Sequence, residues 1–177
     1  MRYTLDARES AARPREPIAG GVEPFEGSTD NQGVWRRVIA IDLGARRIGV
    51  AATDALRIGA HPHATLARRG GERDLQAIVA VVRELDAERV VVGLPLSPEG
   101  EEGRAAKSAR AFADRLRARL SVPVELVDES YTTVEAEEVL VAADLSRARR
   151  REMVDRVAAA VILRRWLDAN PVSGGAA

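Results

Sequence analysis

Apolar positions fall into two spacings along this chain. Residues 38–41 (Val-Ile-Ala-Ile) and 48–53 (Ile-Gly-Val-Ala-Ala-Thr) are short, nearly continuous apolar runs on either side of a turn that contains Gly44, which predicts two strands of a hairpin. A weaker strand is expected over 63–67. The spacing then lengthens: Leu75, Ile78, Val79, Val82 and Leu85 recur every three or four residues and predict a helix over 73–85. That helix feeds residues 89–93, Arg-Val-Val-Val-Gly, a β-branched run of the kind found in a parallel strand covered on both faces. Ala105, Ala109, Phe112, Leu116 and Leu120 predict a second helix over 103–120, and 123–127 reads as the next strand, ending in Asp128-Glu129.

Two more helices close the pattern. Thr132-Thr133-Val134-Glu135 has the form of a capping box and predicts a helix to about residue 142; the last helix is expected after Ser146, running through Asp155 to Leu167. A hairpin followed by alternating strands and helices gives an α/β domain with a mixed central sheet and helices on both faces. Residues 1–34 mix Arg, Glu, Pro and Gly without either period and read as a flexible arm; residues 170–177 read as a tail, leaving one domain over 35–169.

Composition narrows the chemistry. The 177 residues suit one domain. With no cysteine, disulfides, thiolate metal sites and thiol catalysis are excluded, so a metal must be held by carboxylate or histidine. Basic and acidic residues are equal at 27 each, so attraction to nucleic acid has to come from local patches. No apolar run approaches a membrane span and the N-terminal residues lack the apolar core of a secretory signal, so a soluble, intracellular protein is expected.

If the strands holding Ile39, Val91 and Leu126 are parallel neighbours, their C-terminal ends share the sheet edge where open α/β folds bind ligands. Asp42 ends the first and Glu129 the last. Asp155 lies on the same helical face as Ala158, Ala159, Ile162 and Trp166, while Arg156, Arg164 and Arg165 are expected largely elsewhere. Each acid alone has an ordinary explanation: turn chemistry for Asp42, a solvated strand end for Glu129, a helix-terminus interaction for Asp155. Together, three carboxylates without histidine or thiol suit Mg²⁺ or Mn²⁺, and such ions activate water for phosphodiester cleavage.

The segments IAIDLGARRIGVAATD, VVVGLPLSPEGEEG, VELVDESYTTVEAE and VDRVAAAVILRRWL, in this order and spacing, closely resemble the YqgF family, also called RuvX, the pre-16S rRNA nuclease or Holliday junction resolvase family. The resemblance covers about residues 36–167. It implies a ribonuclease H-like fold, a cytoplasmic location and processing of the 5′ end of small-subunit ribosomal RNA precursor, with ribosomal particles as further partners. The family's acidic triad falls on Asp42, Glu129 and Asp155, the acids already singled out. Its GLP loop falls on Gly93, Leu94 and Pro95, and a GxEG-like element on residues 100–103; backbone N–H groups there could hold a phosphate, or the glycines could simply turn the chain.

Candidate contacts to nucleic acid are Arg46 and Arg47 in the hairpin and Arg147, Arg149, Arg150 and Arg151 before Asp155; the alternative for that run is a solvated charged face. Tyr131 is a candidate for base stacking or for partial burial. Where the family usually carries an arginine after the DE pair, this chain has Ser130-Tyr131, which weakens the expected backbone contact. His61 and His63 have a metal-compatible spacing but no third ligand nearby, so loop histidines are expected. The rival family with a strand and an Asp-x-Gly turn, the actin and sugar kinase superfamily, needs a second domain and a second glycine-rich loop that this length does not supply. Three readings therefore stand: a nuclease for precursor rRNA, a resolvase of four-way DNA, and a catalytically weak binding or ribosome-assembly factor. A monomer and a homodimer fit the sequence equally.

Overall fold

The computed structural model describes residues 27–29, 36–97, 100–129, 136, 140 and 146–171. Within them, β1 (Arg37–Leu43) and β2 (Arg47–Thr53) form the expected hairpin, followed by β3 (Ala60–Ala67), α1 (Glu72–Glu84), β4 (Ala87–Leu94), α2 (Arg104–Arg117), β5 (Val124–Asp128) and α3 (Arg147–Ala169). The sheet order is β3-β2-β1-β4-β5, antiparallel across β3-β2-β1 and parallel across β1-β4-β5. The parallel neighbours postulated from the sequence are therefore adjacent, and the strand ends carrying Asp42 and Glu129 lie on the same edge.

Strand alternation divides the core into two layers. Ile39, Ile41, Ile48, Val50, Val90 and Val92 face α1 and α2, whose buried faces include Leu75, Ile78, Phe112 and Leu116. Val38, Ala40, Ala51 and Val91 point to the other face, where Ala159, Ile162, Leu163 and Trp166 of α3 cover them. Small residues on this second face let α3 settle close to the strands.

Local differences from expectation have plain causes. β3 begins at Ala60 rather than 63, with a register shift between Val50 and Ala51 opposite Pro62; it is an edge strand, where a residue lacking N–H is tolerated. On α2 the buried residue is Ala106, and Ala105 is exposed, because Phe112, Ala109 and Ala113 fix the inward face. In α1 the buried Asp74 accepts from the N–H groups of Arg69 (2.8 Å) and Gly70 (2.9 Å), capping the chain's entry into the helix. Helix α3 starts where expected, with the Ser146 hydroxyl accepting from Arg149 N at 3.4 Å.

The capping box at 132–135 lies outside the described residues; Ala136 and Leu140 are helical, buried, and cluster with Val157 and Ala158 of α3. Ser28, in the segment read as an arm, donates its backbone N–H to Glu88 Oε2 at 2.9 Å, and its carbonyl accepts from Arg36 N at 3.0 Å. Glu88 is buried and also paired with Arg57. Among the described residues, no helix is long and apolar enough to cross a membrane.

Candidate active site

The α3 face of the sheet has a polar end. Alternation along β1 places Asp42 on the same face as Val38 and Ala40; along β5 it places Glu129 in line with Val127 and Glu125. Gly49 is the cross-strand partner of Asp42, and Gly93 follows Val92, the partner of Ile41. Two acids thus alternate with two glycines across four strands.

The glycines explain how the acids fit. A Cβ on Gly93 would lie 1.9 Å from Glu129 Oε2 and 2.7 Å from Ile162 Cδ1, so the missing side chain is the space that the Glu129 carboxyl occupies. A Cβ on Gly49 would lie 1.9 Å from the Asp155 carbonyl oxygen, so the same absence lets the α3 backbone rest on β2. Glu129 is fixed by its own N–H, which donates to Leu94 O at 3.1 Å and extends the β4-β5 pairing one residue past Asp128.

The structure brings the three expected acids to one region, where Asp155 acts on Asp42 and Asp42 on Glu129. Burial, and then the charge of Asp155, raise Asp42 from 3.8 to about 6. Burial, then Asp42 and Asp128, raise Glu129 from 4.5 to about 8, against the lowering effect of Arg165. Asp42 is therefore the electrostatic link between the other two. Among the described residues, no three of Asp, Glu and His stand close enough together to hold a metal ion as they are. Asp155 Oδ2 is instead engaged by Arg47 Nη1 at 3.2 Å. The donor set is nonetheless that of a hard divalent cation: carboxylate oxygens only, on a partly dry surface where burial and neighbouring negative charge keep Glu129 largely protonated near neutrality and bring Asp42 close to titrating.

The arginines divide. Arg46 is exposed at the hairpin turn, and Arg47 is 45 % exposed beside Asp155. Arg149 is exposed and Arg150 half-buried, while the side chains of Arg147 and Arg151 lie outside the described residues, as does all of Ser130-Tyr131. One expectation is corrected: Arg165 does not point away from the acids. It donates to Asp128 O at 3.4 Å and is the cation that Glu129 feels, because the helix crosses the end of β5 there. Arg68 was not singled out from the sequence. It ties the hairpin to α2 by donating to Gly44 O (2.7 Å) and Ser108 Oγ (3.2 Å), and it has no sequence signal beyond ending a strand before Gly70-Gly71.

In the loop after β4, Gly100 has φ 87 and its N–H donates to Ser97 O at 2.8 Å, so this glycine turns the chain. His61 and His63 are exposed on the edge strand; His61 Nε2 is 3.4 Å from Asp54 Oδ2. Asp54 in turn accepts from the N–H groups of Leu56, Ile58 and Gly59, an Asx-type turn.

Comparison with known proteins places this geometry among relatives. The family model described as "RuvX: Holliday junction resolvase" matches residues 36–169. A protein of Myxococcus xanthus is 47 % identical over 134 residues, 76 % of this chain and 89 % of its own length. One of Anaeromyxobacter dehalogenans is 48 % identical over 132 residues, 75 % of this chain and 96 % of its own. Both bear the name "Putative pre-16S rRNA nuclease". Among solved structures, T. thermophilus RuvC in complex with a Holliday junction substrate superposes with a TM-score of 0.50 at 17 % identity, covering 76 % of this chain and 97 % of that one. The fold is ribonuclease H-like, as expected from the sequence.

Proposed function

The chain belongs to the RuvX family, and on that premise we propose that it is a metal-dependent nuclease that trims the 5′ end of precursor 16S ribosomal RNA in the cytoplasm, on or near ribosomal particles. The observation that carries this reading is the alternation of Gly49, Asp42, Gly93 and Glu129 across four strands, with Asp155 brought down onto it by α3. Two carboxylates raised by burial and by neighbouring acids, Asp42 by Asp155 and Glu129 by Asp42 and Asp128, are poised for a cation rather than for fold stability.

Asp42, Glu129 and Asp155 would hold Mg²⁺ or Mn²⁺. When bound there, such an ion would lower the pKa of a water and offset charge at the scissile phosphate. Asp42 lies between the other two acids and anchors the site; Glu129 is locked in orientation by Gly93 and Leu94. Arg46, Arg47 and the arginines of 147–151 bind the phosphodiester backbone, giving salt-sensitive affinity despite a net charge of zero. Arg165, beside Glu129, takes part of the role of the arginine replaced by Ser130.

The family's description and the likeness to RuvC favour a second substrate, four-way DNA. The two are separated by giving the full chain end-labelled precursor rRNA leader and a DNA junction, each with Mg²⁺ or Mn²⁺, and the Asp42→Asn variant as control. RNA cleavage lost in the variant supports the processing nuclease. Cleavage of the junction alone makes the protein a resolvase. Binding of either without cleavage leaves it a nucleic-acid-binding factor.

A further inference from the structure

Both oxygens of Asp155 are turned toward the β1-β2 hairpin. Oδ2 receives Arg47 Nη1 at 3.2 Å, and Oδ1 lies 3.7 Å from where a Cβ on Gly44 would stand. The backbone of Asp155 is pinned too, its carbonyl resting in the space left by Gly49, two residues beyond Arg47. The acid is thus held against the hairpin by a cation of the chain itself.

We propose that Arg47 is an exchangeable internal cation: its Nη1 occupies Asp155 until a divalent ion takes the carboxylate, and the N–H group released from that contact then binds a phosphodiester oxygen of the substrate. Arg47 is a positioning residue that makes metal binding and phosphate binding assist each other. This inference rests on the reading of Asp155 as a metal ligand.

The exchange follows from general chemistry. The Arg47 side chain is 45 % exposed and that of Asp155 20 %, so the pair is screened by water and weak enough to open. A carboxylate is a better ligand for Mg²⁺ than a partner for a solvated guanidinium, and a planar guanidinium matches a phosphate as well as it matches a carboxylate. Each event removes the competitor of the other, and linkage then requires the effect to be reciprocal.

The test is Mn²⁺ titration calorimetry on the full chain and on Arg47→Gln, Arg47→Lys and Arg46→Gln. Arg47→Gln is expected to bind Mn²⁺ about two- to fivefold tighter than wild type, the range set by a partly exposed ion pair. Arg47→Lys should stay near wild type, because it keeps a cation at the carboxylate. Arg46→Gln removes the same charge one residue away and should leave affinity unchanged, which separates the contact from the general field. A labelled RNA oligonucleotide should gain affinity with Ca²⁺ relative to EDTA, and gain less in Arg47→Gln. Unchanged or weaker Mn²⁺ binding in Arg47→Gln, or an equal rise in Arg46→Gln, overturns the proposal while the metal site stands. If wild type binds no Mn²⁺ in the millimolar range, the reading of the acids as a metal centre fails, and this inference falls with it.

Discussion

The carboxyl group of Glu129 sits where a side chain on Gly93 would be: Oε2 lies 1.9 Å from the Cβ position. The residue that ends one strand is accommodated by the absence of a side chain on its neighbour. Gly93→Ala should therefore displace Glu129 and press on Ile162, costing about 1–3 kcal/mol of stability by overpacking. Thermal denaturation checks the first effect. Cleavage activity and Mn²⁺ affinity, both expected to fall, check the second.

Gly49→Ala should be worse for the fold. Its Cβ would meet the backbone carbonyl of Asp155 at 1.9 Å and Arg156 N at 3.0 Å, and a helix backbone yields less readily than a carboxylate side chain. A melting temperature at or above that of Gly93→Ala would contradict this ranking.

The metal-free protein should lose stability as pH rises. Asp42 and Glu129 have folded pKa values of about 6 and about 8, above their ordinary values of 3.8 and 4.5. Between the ordinary and folded values the folded chain holds protons that the unfolded chain has released, so unfolding is increasingly favoured across that window. A cation binds the ionised forms, so the rise in melting temperature on adding Mg²⁺ should be larger at about pH 8.5 than at about pH 5.5. Denaturation scans with Mg²⁺ and with EDTA at both pH values measure it.

Asp42→Asn removes the charge that repels both of the other acids. At alkaline pH and without metal the variant should be more stable than wild type by about 1–3 kcal/mol. Its melting temperature should no longer respond to Mg²⁺, and cleavage should be lost. A variant less stable than wild type under those conditions would show that Asp42 serves the fold.

At the opposite end of β5, the Trp166 indole N–H donates to Glu125 Oε2 at 2.7 Å, Glu125 pairs with Arg89, and the Arg89 guanidinium lies 5.9 Å from the indole centroid. Trp166→Phe keeps an aromatic ring but leaves Glu125 short of a donor, at a cost of about 1–3 kcal/mol. Chemical denaturation should register the loss, and metal affinity should not, since this cluster is at the far end of the strand from Glu129.

What the sequence determined by itself is the alternation of elements and the identity of the acids. The β-branched runs at 38–41 and 89–93 and the spacing from Asp155 to Trp166 are local patterns that backbone geometry turns into strands and a helix face, and Asp42 and Glu129 were visible as charges ending apolar runs. What only the tertiary structure decided is how those charges are seated. Nothing in the residues around Gly49 or Gly93 says that their missing side chains hold Asp155 and Glu129, because those contacts join positions far apart in the chain. The same holds for Arg165, read as pointing outward, and for Arg47, whose carboxylate partner is 108 residues away. Periodicity fixes which face a residue occupies, but the depth and crossing of α3 over the strands follow from the small side chains beneath it, and they select which cation meets which acid.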